Sequence, residues 1–206
     1  DFIDRIIMGR FAPCCLVEGE NFFFGRGRQG TIDVLRRAGS AAGFDVHVVP
    51  PFSTEIDGVD QCVSSTLIRK LVADGRIADA AHCLGRDFAL FGRVGGGYGR
   101  GRLLDFPTAN LDPGDQITPG DGIYAGYARL RGERFPAAIS IGDNPTFGPT
   151  ERTIEAFLLN AEGDFYDETM ILSFVARLRD QQRFDGAEAL KAQIERDVAR
   201  VREICG

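Results

Sequence analysis

Tryptophan is absent from this 206-residue sequence, and so are long apolar runs. Uncharged apolar stretches, such as 139–142 and 156–159, fall far short of the roughly 20 residues that a membrane-spanning helix requires. The composition, 44% hydrophobic and 26% charged, is ordinary for a globular protein. It excludes collagen-like, low-complexity and predominantly disordered chains, and we expect no membrane partner.

Cysteine is scarce, with five residues and no Cys-x-x-Cys spacing. An odd number without paired spacing argues against a disulfide framework and against a zinc site. We expect Cys14, Cys15, Cys62, Cys83 and Cys205 to be reduced thiols that pack inside a cytoplasmic protein.

Positive charge is in deficit, with 24 Lys and Arg against 30 Asp and Glu and a formal net charge of −6. Such a chain lacks the basic surface that sequence-independent nucleic-acid binding requires. We therefore expect no nucleic-acid partner, whereas a small substrate accompanied by a cation is compatible with this charge. The oligomeric state stays open.

Two segments of different pattern meet near Gly85. Before it, helices are predicted over 31–38, 64–73 and 76–84, with Gly85 at the C-cap, and a strand over 44–49. After it, short β-rich segments are separated by Gly, Pro and Asp, which is typical of an antiparallel barrel or sandwich. The predicted strands cover 88–94, 108–111, 123–130, 135–141, 153–159 and 170–178, with a hairpin turn at 131–133.

One long helix is predicted to close the chain. Asp185 is the expected N-cap, with Glu188 three residues later. An apolar stripe, which we expect to pack on the strands, consists of Ala187, Leu190, Ile194, Val198 and Val201.

The densest glycine cluster runs from 92 to 102 and leads directly into Phe-Pro-Thr-Ala-Asn-Leu at 106–111. Glycines let the backbone turn its N–H groups toward an anion, and Arg100 and Arg102 add positive charge, which suits a polyphosphate. The segment is neither a Walker A loop nor a dinucleotide fingerprint. The alternative is a flexible hairpin with solvated arginines.

Two side chains are candidate cation ligands, and a third is a candidate general base. Thr108 and Asn110 share one face of a strand, where their oxygens could point at a single hard cation, although such residues also serve as hydrogen bonders at strand edges. Glu155 shares a face with Phe157. If that face points inward, a carboxylate is held beside apolar groups at a cost in free energy and could act as a general base; if Ile154 points inward instead, Glu155 is solvated.

Two further segments have both a functional and an ordinary interpretation. The polar connection at 179–184 carries Arg179 and Phe184, which could close over a planar ligand, or it is a plain loop. The helix start at 64–69 resembles an anion site or simple N-capping. Its candidate residues are Ser64, Ser65, Thr66 and Arg69.

Taken together with 120–124, 141–147 and 164–166, these motifs resemble riboflavin kinase over nearly all of 86–206. The preceding region, through 19–25 and the helix start at 64–69, resembles the later part of the FMN adenylyltransferase module of bacterial bifunctional enzymes. The resemblance implies an α+β protein with two domains. Residues 1–85 would be a partial α/β, nucleotidyltransferase-like segment, and 86–206 a six-stranded antiparallel Greek-key-type β-barrel with a closing C-terminal helix.

The resemblance also implies a reaction, the Mg²⁺- and ATP-dependent phosphorylation of the riboflavin 5′-hydroxyl to give FMN. Thr108 and Asn110 would hold Mg²⁺, Glu155 would be the catalytic base, and Arg179 and Phe184 would lie over the flavin. The residues that would bind ATP are Gly92, Gly97, Gly101, Arg102, Pro107, Thr108 and Tyr166. Ser64, Ser65, Thr66 and Arg69 would be a vestigial phosphate site of the adenylyltransferase.

The sequence departs from the two families at three points. Asp105 stands where the kinase usually has glycine, and Asn21 where the adenylyltransferase usually has aspartate. The adenylyltransferase motif His-x-Gly-His is absent, so we expect no FAD synthesis from this polypeptide. The alternatives are a bifunctional enzyme of which this is an incomplete chain, and a non-catalytic flavin or nucleotide binder.

Overall fold

The computed structural model describes residues 2–96, 106–143 and 152–206. Gly97, Gly101, Arg102 and Asp105 lie outside these residues. The chain forms two compact units, Asp1–Val63 and Ser64–Gly206. Within the described residues, none of the helices combines the length and apolarity needed to cross a lipid bilayer.

The first unit is a small α/β arrangement. Its elements are a π-helical segment (Ile3–Phe11), strand β1 (Cys15–Gly19), a 3₁₀ turn (Arg26–Arg28), helix α1 (Ile32–Ala42), and strands β2 (Asp45–Val49), β3 (Ser53–Ile56) and β4 (Val59–Cys62). β1 and β2 pair in parallel, and β3 and β4 form an antiparallel hairpin. The buried core contains Ile7, Leu35 and Phe44.

Helix α1 was predicted over 31–38 and extends four residues further, to Ala42. The Thr31 hydroxyl accepts a hydrogen bond from the backbone N–H of Val34 at 3.4 Å, which satisfies one of the free amides of the first turn. Gly43 ends the helix in the left-handed conformation.

The expectation that all five cysteines pack inside was wrong for three of them. Cys14, Cys15 and Cys62 are exposed, Cys83 is half-buried, and only Cys205 is buried. All five are free thiols. Burial raises the pKa of the Cys205 thiol, which keeps it neutral beside the apolar groups that surround it.

The second unit begins with helices α2 (Ser65–Ala73) and α3 (Ile77–Leu84), continues as a six-stranded barrel and ends in helix α4 (Ala187–Cys205). The barrel strands are β5 (Phe88–Gly95), β6 (Thr108–Asp112), β7 (Gly122–Leu130), β8 (Glu133–Gly142), β9 (Thr153–Leu158) and β10 (Thr169–Arg179). All pairs are antiparallel, in the closed order β10-β5-β6-β9-β8-β7. Because β10 returns to lie beside β7 of the β7-β8-β9 meander, the topology is a Greek key. The predicted α+β fold with a barrel and closing helix is confirmed.

Alternation along the strands separates two apolar layers. The side chains that fill the barrel include Leu90, Leu111, Ile139, Ala156 and Phe174. The outer layer packs Val198, Val201 and Cys205 of α4 against Ala125, Leu159 and neighbouring side chains. The C-terminal half of the predicted apolar stripe therefore lies on the barrel, whereas Ala187 is exposed.

The turn between β7 and β8 consists of Arg131 and Gly132, both at positive φ (50° and 84°), which is the type I′ geometry of a two-residue hairpin. The predicted N-cap of the last helix, Asp185, was wrong. Gly186 occupies that position in an extended conformation, and no side chain caps the helix.

Helices α2 and α3 belong to the barrel unit. Ile77 of α3 is 1% exposed and lies in the barrel core. The Gly120 N–H donates to the carbonyl of Val72 in α2 at 3.2 Å. The domain boundary expected between residues 85 and 86 stays a prediction, but the compact unit begins 22 residues earlier, at Ser64.

Candidate functional site

Strand β9 resolves the two alternatives for Glu155. Ile154, Ala156 and Leu158 point into the barrel, so Glu155 and Phe157 face outward. Glu155 is nevertheless half-buried rather than fully solvated. It lies on the side of the barrel that Phe157 shares with the α4 layer.

Two hydroxyl groups fix the Glu155 carboxylate. Thr108 Oγ1 donates to Glu155 Oε2 at 3.1 Å, and Thr153 Oγ1 donates to Oε1 at 3.3 Å. Asn110 is the direct cross-strand partner of Glu155. Since directly opposed residues of an antiparallel pair project from the same face, Thr108, Asn110 and Glu155 meet on one outer patch.

This patch continues around the barrel as a row of cross-strand neighbours. Ser140 of β8 lies opposite Glu155, Ile123 of β7 opposite Ser140, and Arg179 of β10 opposite Ile123. The candidate cation ligands and base therefore share an outer face with the residue predicted to bind flavin. Nothing in the local sequence predicts this row, because it depends on which strands pair.

A cavity of about 260 Å³ adjoins the patch. Four of the predicted site residues line it, namely Pro107, Thr108, Asn110 and Tyr166. Gly95 and Gly96 at the end of β5 form another side, and the connection 160–168, which we name the cavity loop, contributes Asp164, Phe165 and Tyr166. The cavity thus has a glycine-rich wall, an aromatic wall and a polar edge.

Gly92 does not line this cavity. A Cβ atom at this position would overlap the carbonyl oxygen of Asp112 on the neighbouring strand. Close contact between β5 and β6 therefore explains this glycine without a ligand. A role for Gly92 in ATP binding stays a prediction, as it does for the three undescribed residues Gly97, Gly101 and Arg102.

Arg179 and Phe184 lie together at the other end of the row. The Arg179 guanidinium is 5.7 Å from the centroid of the Phe184 ring. It also forms a buried ion pair with Asp197 of α4, with Nε 3.1 Å from both carboxylate oxygens and Nη2 2.7 Å from Oδ2. Gln193 donates to the same carboxylate at 2.9 Å. The charge of Arg179 is therefore matched within the protein, and its position is fixed.

The loop 180–186 is also held near Glu155. Gln181 Nε2 donates to Ser140 Oγ at 3.0 Å and to the Ile141 carbonyl at 3.1 Å. Sequence reasoning missed Ser140, Thr153, Gln181 and Asp197. Of these, only Thr153 could have been suggested by the sequence, because it lies two residues before Glu155 and therefore on the same face of the strand.

The candidate anion site at the start of α2 shows capping geometry. The Ser64 hydroxyl accepts from the backbone N–H of Leu67 at 3.2 Å. Ser65, Thr66 and Arg69 are exposed. The structure therefore supports the ordinary interpretation of this segment, and a phosphate site there stays a prediction.

A hydrogen bond from the Tyr124 side chain fixes the beginning of β7. Burial raises the pKa of the Tyr124 phenol, which therefore keeps its proton and donates to the Gly120 carbonyl at 2.5 Å. Beside it, Arg177 Nη2 donates to the Asp121 carbonyl at 2.6 Å. These contacts fix the segment that leads to Ile123 in the row.

The donor set of the outer patch suits a hard cation. Thr108 and Asn110 offer a hydroxyl and an amide oxygen next to one carboxylate, and the described residues contain no group of three or more His, Cys, Asp or Glu that could hold a metal on its own. Mg²⁺ fits such a set, because it prefers oxygen and commonly takes few protein ligands together with water and phosphate oxygens.

Comparison with known proteins relates the two parts of the chain to two families. The family model described as Flavokinase: Riboflavin kinase matches residues 84–205, and the one described as FAD_syn: FAD synthetase matches residues 1–67. The bifunctional riboflavin kinase/FMN adenylyltransferase of Escherichia coli strain K12 is 35% identical over 207 residues, which cover 100% of this chain and 65% of that protein. The Pseudomonas fluorescens protein of the same name is 36% identical over 205 residues, covering 99% and 65%.

A solved structure matches both units. It is described as a macrolide-efflux protein from Streptococcus pneumoniae, has a TM-score of 0.79 and 30% sequence identity, and covers 98% of this chain and 64% of that chain. The chain thus spans about 65% of the length of the curated relatives named above. Since the kinase-family match covers more than half of the sequence, the chain belongs to the riboflavin kinase family.

Proposed function

We propose that this chain phosphorylates the 5′-hydroxyl of riboflavin with ATP and releases FMN and ADP. The observation that carries the proposal is the meeting of Glu155, Thr108 and Asn110 on one outer patch, with Thr108 and Asn110 at the edge of the cavity. Phosphoryl transfer requires positioning and charge neutralisation rather than covalent help, and this patch offers both beside a proton acceptor.

ATP would occupy the cavity at the end of the barrel. Gly95 and Gly96 let a ligand approach the backbone closely, and Pro107 and Tyr166 provide flat surfaces for a nucleotide. The terminal phosphate would then lie toward Thr108 and Asn110.

Mg²⁺ would be held by Thr108 and Asn110 together with phosphate oxygens, and it would supply neutralisation of the developing phosphate charge. The Thr108 hydroxyl already directs its proton to Glu155, which leaves its lone pairs available for a cation. One hydroxyl group therefore serves both the cation site and the base.

Glu155 would act as the general base. Its carboxylate would take the proton of the riboflavin 5′-hydroxyl as that oxygen forms a bond to the γ-phosphorus and the bond to ADP breaks. The hydrogen bonds from Thr108 and Thr153 hold both carboxylate oxygens in place, so little reorganisation is needed. Phe184, held beside Arg179, would cover the flavin ring.

The proposal is tested by incubating the protein with ATP, Mg²⁺ and riboflavin and separating flavins by chromatography. Glu155→Gln should lower kcat at least about 100-fold, because a positioned base contributes roughly 10²–10⁴-fold. Riboflavin binding, followed by flavin fluorescence in a chain without tryptophan, should change little.

Glu133→Gln is the matched control, since this exposed glutamate at the start of β8 lies outside the site and the charge change is the same. Equal turnover of the Glu155 and Glu133 variants would remove Glu155 from the mechanism. Bound but unconverted riboflavin in the unmodified protein would favour a non-catalytic binder.

One observation bears on a second activity, the synthesis of FAD. Residues 1–67 match the FAD synthetase family model, and the named relatives are bifunctional. This polypeptide itself has no His-x-Gly-His, so we expect the chromatogram to contain FMN and no FAD. FAD in the same assay would establish the bifunctional alternative for this chain.

A further inference from the structure

We propose that Arg131, outside the cavity, is a positioning residue for the nucleotide. It would act by holding the cavity loop 160–168 against the barrel. The inference rests on the proposed function, because it takes the cavity as the ATP site.

Arg131 contacts the cavity loop in three ways. Its Nη2 lies 2.8 Å from Glu168 Oε1 and its Nε 3.1 Å from the same oxygen. The same Nη2 donates to the Asp164 carbonyl at 3.1 Å. The guanidinium carbon is 5.5 Å from the centroid of the Phe165 ring. One side chain thus contacts the loop near its middle and at its end.

These contacts bear directly on the cavity wall. Asp164, Phe165 and Tyr166 are consecutive residues, and all three line the cavity. Arg131 itself does not line it. The far end of the loop is fixed separately, because Val94 and the loop residues Asp167 and Glu168 exchange backbone hydrogen bonds at 2.9 Å. The stretch 164–166 is therefore held from the β7–β8 turn by Arg131 and against the barrel core by Phe165.

The backbone at Arg131 strengthens this argument. Its φ of 50° lies in the left-handed region, where type I′ turns favour asparagine followed by glycine. The long arginine side chain, unlike that of asparagine, does not stabilise this backbone conformation by a local hydrogen bond. The left-handed conformation of Arg131 therefore costs free energy. The turn therefore does not account for arginine here, whereas its contacts with the cavity loop do.

Because the turn favours asparagine and the loop contacts require arginine, the variant Arg131→Asn separates the two effects. It creates the Asn-Gly pair that suits the turn and removes the guanidinium. Because the ion pair is half exposed and asparagine relieves the backbone, the melting temperature should stay within about 3 °C of the original or rise. The KM for ATP should nevertheless rise about tenfold, with kcat and the KM for riboflavin within about twofold.

Two readouts do not depend on turnover. Titration calorimetry with Mg·ADP should show affinity about tenfold weaker for the variant. Hydrogen exchange should be faster in the variant at the amides of 161–166, and Mg·ADP should slow these amides in the original protein.

Arg129→Asn and Arg131→Lys are the controls. Arg129 is exposed on β7, two residues before Arg131, so its replacement makes the same charge change without touching the cavity loop. Lysine keeps the charge opposite Glu168 and the strained backbone but loses the fork to the Asp164 carbonyl, so the KM for ATP should lie between those of the original protein and the asparagine variant.

The outcomes separate the two proposals. If the original protein binds no Mg·ADP and makes no FMN, the proposed function fails. If it does both, and Arg131→Asn shows unchanged affinity for Mg·ADP and unchanged exchange in the cavity loop, the role of Arg131 is overturned. A weaker affinity accompanied by a large fall in melting temperature would also overturn it, because Arg131 would then support the fold as a whole.

Discussion

At the scale of single residues, Thr108 carries two tasks in the proposed mechanism. Its hydroxyl donates to Glu155 and borders the cavity. Thr108→Ala should therefore lower kcat and raise the Mg²⁺ concentration needed for half-maximal rate, each by about tenfold, which corresponds to roughly 1.4 kcal/mol. Rate measurements over a Mg²⁺ titration check this.

Thr108→Ser tests the chemical reason, because serine keeps the hydroxyl and loses only a methyl group. It should restore most of the rate and the original Mg²⁺ dependence. An alanine variant with an unchanged Mg²⁺ dependence would contradict a cation at this position.

Residue patterns predicted which side chains share a face, but not which face points inward. Thr108, Asn110 and Glu155 were found because period-two alternation and a resemblance marked them. The same alternation left the direction of Glu155 open, since strand β9 is apolar on both of its faces. Ile154 fills the barrel, while Phe157 faces the α4 layer. Because polar and apolar residues do not alternate regularly in such a strand, its sequence does not show which face points inward.

At the scale of elements, the end of β10, where the loop 180–186 begins, is attached to α4 through a buried ion pair. The side chains of Arg179 and Asp197 are only 15% and 9% exposed. Asp197→Ala leaves the Arg179 charge without its partner, so unfolding should become easier by about 3 kcal/mol. The KM for riboflavin should rise while the KM for ATP stays unchanged, because Phe184 lies beside Arg179.

Urea denaturation and steady-state kinetics measure the two effects. Glu203→Ala is the comparison variant, since the Arg200–Glu203 pair lies on the same helix with both side chains more than half exposed. Its loss should cost less than about 1 kcal/mol. An Asp197 variant as stable as the Glu203 variant would show that the pair does not support the element.

The six barrel strands were predicted to within one or two residues at each end, because Gly, Pro and Asp mark the turns between them, whereas β1, β3 and β4 of the first unit were not predicted. For example, β10 runs over Thr169–Arg179 where 170–178 was predicted. Pairing could not be derived in this way. β10 lies between β7 and β5, and such neighbours depend on contacts far apart in sequence. Asp197, Gln181 and Ser140 were missed for the same reason.

At the scale of the whole molecule, compactness and sequence pattern divide the chain at different points. The pattern changes near Gly85, where helices give way to strands. The compact unit begins at Ser64, because α2 and α3 pack with the barrel. The helices α2 and α3, which precede the change in pattern, thus contribute to the core of the barrel unit. Local periodicity does not reveal with which unit such helices pack.

We therefore expect the chain 64–206 to fold by itself and to phosphorylate riboflavin, and the chain 86–206 to be much less stable. The shorter chain loses Ile77, which lies 1% exposed in the barrel core, and the backbone hydrogen bond from Gly120 to Val72. Removal of a fully buried isoleucine alone costs about 2–5 kcal/mol. Circular dichroism during urea denaturation compares the two chains, with Ile77→Ala in 64–206 as the point-variant control. Equal stability of 64–206 and 86–206 would place the boundary at Gly85 after all, whereas failure of both to fold would show that residues 1–63 are needed for the barrel.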